Sequence, residues 1–437
     1  MHAYVKSSEP WLDEHIRSYI RRYAPGAVFI DKVEEMPAGT TAIFQICDGV
    51  DMNRHFDLLN HSTIGLINAY PNSDALARKD HLARVVEYWT VKRPESILKK
   101  HVPTTVRLNL DYSEYVDDAL TEADDLALYD SLQENEKIDA PEREWWILKP
   151  ALCDSGAGIR IFSTVDELAS KLELVACVDD DDAVAGELDG TLEKPSTDAS
   201  PDTLNFTCED DGRIPSSQMR DFVAQQYITP VSVLERRKWH VRVYVLAIGR
   251  LKVYVFREML ALLASDVYEP PWESPSLRSS LTNTALQKED EYADKKSMRD
   301  FWALPDGLFP GDWKSRVFDQ ICDVSAELFR ATAHTMPEKF VLIDKCFGLF
   351  ALDFLVDSSG VPWLLEANET PSFYEHGVGG ALAQRLLESV IYVAMDHMGL
   401  AQREDAENAS ARDQMLKILD ETERLGKSNI RDILPED

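Results

Sequence analysis

Between Leu349 and Val356 apolar residues fill both alternating sets of positions, and one acid, Asp353, interrupts them. Asp357-Ser358-Ser359-Gly360 then has the composition of a turn, and Val361 to Ala367 resumes an apolar strand carrying a second acid, Glu366. A two-residue loop at Ser358 and Ser359 sets Asp357 opposite Gly360 and Asp353 opposite Leu364. Glu366 and Asn368 then share the face of Asp353. An odd-length loop sends them to opposite faces. Diagonal neighbours on one face lie roughly 7–8 Å apart, near enough for Asp353 and Glu366 to grip a shared divalent cation. The pattern fits a surface hairpin with wet acids equally well. Acids inside strands that are apolar on both faces, however, need a cation or a hydrogen-bonding partner once buried.

The same periodicities predict a small α/β unit at the N-terminus. Its parts are a short strand at Ala3-Tyr4-Val5, an amphipathic helix over 9–23 led by Trp11, Ile16 and Ile20, strands over 27–30 and 41–46, and an apolar run over 65–71. Ser73 reads as the N-cap of a helix over 75–90. Trp145 to Leu148 opens a buried strand ending in Lys149-Pro150, and Phe222 to Ile228 is another strand. Residues 238–247 and 252–257 form a hairpin across Ile248-Gly249-Arg250. Residues 266–310 read as a long loop with short helices, while 313–335 and 381–398 read as amphipathic helices. The tail after Leu400 reads as a solvated helix with i,i+4 charge pairs.

A chain of 437 residues with nine Trp and 44% hydrophobic content folds around a large core, with room for two to three domains. We divide it into an N-terminal α/β domain (1–110), a central part (111–230) with an acidic insertion over 175–215, a C-terminal part (231–400) and a charged tail (401–437). The insertion, with its Asp179 to Asp182 run and no apolar period, has the composition of a disordered loop. Residues 111–144 hold thirteen acids against Lys137 and Arg143, and 173–213 hold thirteen against Lys194 and Arg213. These segments carry −22 of the formal −31, so the rest of the chain is only mildly acidic and can hold local basic sites. Nucleic acid and anionic membrane are electrostatically unfavourable partners. The six cysteines show neither CxxC pairing nor metal-ligand spacing, no apolar run is long enough for a membrane span, and no targeting segment is visible, which points to a reduced, cytosolic or nuclear setting.

Two further constellations carry chemistry. Lys149 ends a strand and is followed by Pro150-Ala151-Leu152-Cys153-Asp154-Ser155-Gly156-Ala157-Gly158-Ile159, a Gly-rich loop leading into another strand. Backbone N–H groups and an ammonium in that arrangement can neutralise a polyphosphate, although the sequence is not a Walker motif and an ordinary hairpin turn has the same composition. In Arg236-Arg237-Lys238-Trp239-His240-Val241-Arg242, alternation puts Lys238, His240 and Arg242 on one face. A row of cations on a strand meets either an anion or solvent. Arg257-Glu258 adds a further cation, or a local ion pair. Together with the carboxylate pair and its amide, this inventory suits ATP with Mg2+.

In this order, Lys149-Pro150 with Ser155-Gly156-Ala157-Gly158-Ile159, Gln225-Gln226-Tyr227-Ile228, Arg237 to Arg242, Arg257-Glu258, Leu281-Thr282-Asn283-Thr284 and Asp353 with Pro362 to Ser372 resemble the tubulin-tyrosine ligase family of ATP-grasp ligases, over roughly residues 61–376. The resemblance implies an ATP-grasp α/β fold. It also implies an activity in which ATP converts a carboxylate to an acyl phosphate that an amino-acid amine attacks. By resemblance, Lys149 binds the α/β-phosphates, Ser155, Gly156, Gly158 and Ile159 lie in the phosphate loop, and Gln225, Gln226, Tyr227 and Ile228 form the adenine hinge. Lys238 contacts nucleotide, Arg242 lies near the γ-phosphate and acceptor carboxylate, and Arg257 holds the substrate carboxylate. Asp353, Glu366 and Asn368 resemble the Mg2+ ligands, and Lys79, in Ala77-Arg78-Lys79-Asp80, a nucleotide-proximal lysine. The chain departs from the family at His240, where many members carry an acid for the ribose, at Ser280, where many carry His, and at Gln226, often Lys. The implied partners are an amino-acid co-substrate and a protein carboxylate such as the tubulin C-terminal tail, for a monomeric cytoplasmic protein. The opening Met1 to Lys6 and Arg237 to Arg242 are similar to fungal members associated with mRNA-processing bodies. A nucleotide-binding module without ligase activity is the competing expectation.

Overall fold

The computed structural model describes residues 1–37, 39–47, 63–110, 115–123, 126–152, 158–173, 220–274, 276–282, 297–401 and 411–422. Three sheets organise them. The first is parallel, in the order β2-β1-β3-β4, from β1 (His2–Lys6), β2 (Val28–Ile30), β3 (Ala42–Cys47) and β4 (Ile64–Ile67). Helix α1 (Pro10–Tyr23) connects β1 to β2 and buries Leu12, Ile16, Ile20 and Tyr23, the stripe its periodicity requires.

Helix α2 (Lys79–Lys92) follows. The single helix expected over 75–90 is broken at Arg78, whose extended backbone separates Asp74–Ala77 from α2. Ser73 caps neither piece with its side chain, and its hydroxyl donates to Glu369.

The second sheet is antiparallel, in the order β5-β8-β6-β7, from β5 (Thr105–Asn109), β6 (Trp146–Pro150), β7 (Arg160–Phe162) and β8 (Asp221–Gln226). Acid-rich residues between β5 and β6 form α3 (Val116–Thr121) and α4 (Ala127–Asn135), and α5 (Val165–Glu173) follows β7. Val116, Leu120, Leu128, Leu132 and Leu168 pack on one face of the sheet with Trp146, Leu148, Phe222 and Ala224. The opposite face carries Ile147, Lys149, Val223 and Gln225. The acidic insertion 175–215 lies outside the described residues.

The third sheet is built on β10 (Arg237–Ile248), the longest strand, which follows the two-residue β9 (Val233–Leu234). On one edge β12 (Leu260–Leu263) and β11 (Lys252–Phe256) share its length end to end, and β13 (Met298–Asp300) lies outside β12. On the other edge β14 (Phe347–Val356) pairs with it from His240 to Ile248, and β15 (Pro362–Asn368) pairs with β14. Both faces are buried, which is why β14 and the second half of β10, from Val243 to Ile248, read as nearly continuous apolar runs. Trp239, Val241, Val243 and Val245 share a core with α6 (Trp313–Thr335). Tyr244, Leu246 and Ile248 share another with α1 and α7 (Gly377–His397).

The β14–β15 hairpin corrects the expected register. The Asp357 N–H donates to Val361 and the Gly360 N–H to Asp357, so the loop is the three residues Ser358 to Gly360, with Gly360 at φ +80° where a side chain would be strained. That odd loop alone would turn Glu366 away from Asp353. A bulge at Leu365 adds one residue, Phe354 pairs with Leu364, and Asp353 then lies directly opposite Glu366. Asn368, two residues on, stays on the shared face.

The tail is also corrected. Residues 415–420 form β16, paired antiparallel with β11, in place of a solvated helix. Leu419 is 5% exposed and joins the core under α6. Leu419→Ala should therefore lower the unfolding free energy by about 2–3 kcal/mol in urea titrations, whereas a solvated position would change it by under about 0.5.

Candidate active site

The lysine-bearing face of the second sheet and the start of β10 meet across a cleft. Lys79, Thr105, Lys149, Gln225, Leu364 and Leu365 line part of it. Lys149 ends β6, and its Nζ donates to Gln225 Oε1 at 2.7 Å on the neighbouring strand. Lys238, at the start of β10, sits over the Tyr227 ring with Nζ 4.0 Å from the centroid. Both lysines are buried, at 7% exposure each. Burial pushes Lys238 down to about 7. Burial also pushes Lys149 down, to about 8, with Glu366 and Asp353 opposing the shift and Lys79 and Lys238 adding to it. Trp145, Ile147, Ile161 and Tyr227, joined by Trp272, form an apolar wall beside these ammonium groups.

Arg242 and Asp353 are paired across β10 and β14, and their side chains meet in a bidentate fork, Nε to Oδ1 at 2.9 Å and Nη2 to Oδ2 at 2.8 Å. Asp353 is 4% exposed. Burial would raise its carboxyl, but Arg242 and then His240 outweigh this and hold it well below the usual carboxylate range. Asn368 Nδ2 approaches Asp353 Oδ2 at 3.4 Å, and His240 Nε2 lies 3.5 Å from Oδ1. Across the bulge, Glu366 Oε2 lies 3.5 Å from Lys79 Nζ. Desolvation and the like charge of Asp353 raise the Glu366 carboxyl, yet Lys79, Lys149 and Arg242 bring it below its ordinary value.

The structure thus brings together Lys79, Lys149, Gln225, Tyr227, Lys238, His240, Arg242, Asp353, Glu366 and Asn368. The backbone N–H groups of Gln226 and Tyr227 donate to Thr104 and Trp145, and Ile228 follows directly. Gly158, at φ +70°, and Ile159 lead into β7, while Ser155 and Gly156 lie outside the described residues. Arg257 is not brought to the site. Its odd position puts it on the α6 side of the sheet, opposite to Arg242, where it is exposed and its guanidinium lies 5.3 Å from the centre of the Phe318 ring. Nor does it pair with Glu258, which takes Arg385. Sequence reading missed Trp272 in the apolar wall and the bond between Thr282 Oγ1 and His240 Nδ1, at 2.6 Å. Both residues come from the stretch read as a long loop, where no periodicity signals a contact.

The donor set fits Mg2+. Two carboxylates and an amide oxygen on one face are hard ligands, and Mg2+ is commonly held by one or two carboxylates with substrate phosphates completing the shell. Among the described residues no three His, Cys, Asp or Glu side chains form a self-sufficient metal cage. Asp353, Glu366 and Asn368 would hold the ion, and the adjacent lysines would neutralise phosphate charge.

A cleft between two sheets, with strand-borne cations on one side and paired carboxylates on the other, is the arrangement of the ATP-grasp fold. The chain belongs to the tubulin-tyrosine ligase family, whose sequence profile matches residues 57–403. It is 34% identical over 396 residues to a Schizosaccharomyces pombe protein named probable tubulin–tyrosine ligase C12B10.04, covering 90% of this chain and 91% of that one. It is 31% identical over 374 residues to the Saccharomyces cerevisiae probable tubulin–tyrosine ligase PBY1, covering 82% of this chain but only 47% of that relative, so the match spans about half of PBY1. The fold matches the crystal structure of the C-terminal domain of K. lactis Pby1, described as an ATP-grasp enzyme interacting with the mRNA decapping enzyme Dcp2. The TM-score is 0.66 at 24% identity, with 96% of this chain and 99% of that domain covered.

Two measurements follow from this geometry. Arg242→Met leaves Asp353 buried without its partner and should cost about 3–5 kcal/mol in urea unfolding. The double variant Arg242→Met, Asp353→Leu should recover most of that loss. The second concerns pH. Folded Lys238 titrates at about 7 against an ordinary 10.5, so between those values the unfolded chain holds a proton that the folded chain lacks. Stability of the nucleotide-free protein should therefore rise from pH 7 toward 10.5, by up to about 1.4 kcal/mol per pH unit per fully coupled lysine. Urea midpoints taken across that range should be flatter in Lys238→Met.

Proposed function

We propose that the protein is an ATP-dependent carboxylate–amine ligase that adds an amino acid to a protein carboxylate. The observation that carries this reading is the convergence of Lys149, Lys238 and Arg242 with Asp353, Glu366 and Asn368 on one cleft. The acceptor carboxylate attacks the γ-phosphorus of ATP and ADP leaves. The amino-acid amine then attacks the resulting acyl phosphate, so that an amide bond forms, inorganic phosphate departs and the amine loses a proton. Lys149 and Lys238 would hold the phosphates, Arg242 would neutralise the γ-phosphate, and the hinge from Gln225 to Ile228 with Trp145, Ile147 and Ile161 would take the adenine. Asp353, Glu366 and Asn368 would hold Mg2+, which would supply positive charge against the phosphates. Tubulin is named in the descriptions of relatives, and a tubulin tail is acidic. A chain at −31 would repel it at long range, so engagement depends on the local cations of the cleft. A cytoplasmic location goes with this reading.

A second reading has specific support. Arg257, expected to hold the substrate carboxylate, lies on the other face of the sheet. The relative with the matching fold is described as interacting with a decapping enzyme. An ATP-grasp module that binds nucleotide and a partner without ligation fits both facts.

Incubation with ATP, each of the twenty amino acids and a library of protein C-terminal and glutamate-containing peptides, read by mass spectrometry, separates the two readings. A peptide mass gain of one amino-acid residue, with release of ADP, is expected for the ligase. Nucleotide binding without any mass gain favours the module. Glu366→Gln removes one anionic metal ligand while keeping shape, and should abolish Mg2+-dependent ATP turnover. Unchanged turnover would overturn the metal assignment.

A further inference from the structure

His240 stands where relatives were expected to carry an acid for the ribose, and its surroundings point elsewhere. The ring is 5% exposed. Nδ1 is engaged at 2.6 Å by the buried hydroxyl of Thr282, and Nε2 is buried with no formed hydrogen bond, 3.5 Å from Asp353 Oδ1. If Nε2 carried a lone pair, that lone pair would face a carboxylate oxygen at this distance and repel it. A proton on Nε2, with the Thr282 hydroxyl donating to Nδ1, turns the same contact attractive. Asp353 is then approached on Oδ1 by Arg242 Nε and His240 Nε2, and on Oδ2 by Arg242 Nη2 and Asn368 Nδ2. The two Arg242 bonds are firm. The Asn368 approach on Oδ2 is long and able to yield.

We propose that Thr282 and His240 form a positioning pair that fixes Asp353 from its Oδ1 side and leaves the Oδ2 edge, shared with Asn368, for a divalent cation. This rests on reading the cleft as a metal–nucleotide site, and adds that this chain uses His240 on the metal ligand rather than on the ribose. Outer hydrogen bonds of this kind set ligand orientation, and their loss commonly weakens metal binding by about 10–100-fold. Thr282 acts one bond further out, by selecting the tautomer.

The test separates metal affinity from nucleotide affinity on the full chain. ADP binding is measured calorimetrically in EDTA, and Mn2+ binding to the ADP-saturated protein by the loss of the free Mn2+ electron paramagnetic resonance signal. His240→Ala should weaken Mn2+ by about tenfold while ADP in EDTA stays within about twofold. His240→Gln, whose amide nitrogen can stand where Nε2 stands, should recover most of the loss, and Thr282→Val should lose an intermediate amount. Thr282→Val also carries the test if His240→Ala does not fold. Unchanged Mn2+ affinity in His240→Ala and Thr282→Val would overturn the proposal. Equal weakening of ADP with and without metal would do so too, by making His240 a nucleotide contact. Wild-type protein that binds no ADP would instead overturn the reading of the cleft on which the proposal rests.

Discussion

The bidentate pair of Arg242 and Asp353 sits between the two central strands of the third sheet, in strands whose other positions are almost all apolar. A buried ion pair gains little net stability over an apolar pair of the same volume, because desolvation offsets most of the attraction. Its effect is on geometry and ionisation. The fork holds the Asp353 plane in one orientation and keeps the carboxylate charged before any ligand arrives, and two further donors, His240 and Asn368, converge on the same group. Much of the site is arranged around that one anion.

The rest of the fold holds the cleft open at a set distance. Helix α6 fills one side of the third sheet with an aromatic cluster in which Phe329 packs edge-on to both Phe340 and Phe350. Helices α1 and α7 fill the other. The second sheet has its own core beneath α3, α4 and α5, so its Lys149 face is left for the cleft. Among the described residues, contacts across the divide include Arg78 with Asp221 and Lys238 with Tyr227. Packing of this kind lets two rigid sheets carry a site without merging into one core.

How much of this was legible in the sequence depends on the range of the interaction. Alternation marked β10 and β14 and the shared face of Lys238, His240 and Arg242, because a period of two is local. The shared face of Asp353 and Glu366 was also predicted, though for an incomplete reason. The two-residue loop is in fact three residues, and the bulge at Leu365 supplies the compensating shift. A bulge leaves no mark on an apolar run such as Trp363-Leu364-Leu365. The role of Thr282 and the rearward turn of Arg257 were illegible because each depends on packing between segments far apart in sequence. The tail misled for a related reason: its charge pairs suggested a solvated helix, while the edge of β11 offered backbone bonds that favour a strand.

Charge balance in the cleft connects the fold to its proposed ligand. Lys79, Lys149, Lys238 and Arg242 face Asp353 and Glu366, two more cations than carboxylates when every group is charged. Burial makes that charge costly and pushes Lys238 and Lys149 down to about 7 and about 8, while Arg242 cannot yield its proton. A nucleoside triphosphate carrying one divalent cation retains about two negative charges, which matches the fully protonated site. The bare triphosphate would overshoot it. The depressed lysines and the carboxylates are therefore complementary parts of the proposed site, in which a polyphosphate and its metal would together favour the protonated form of both lysines.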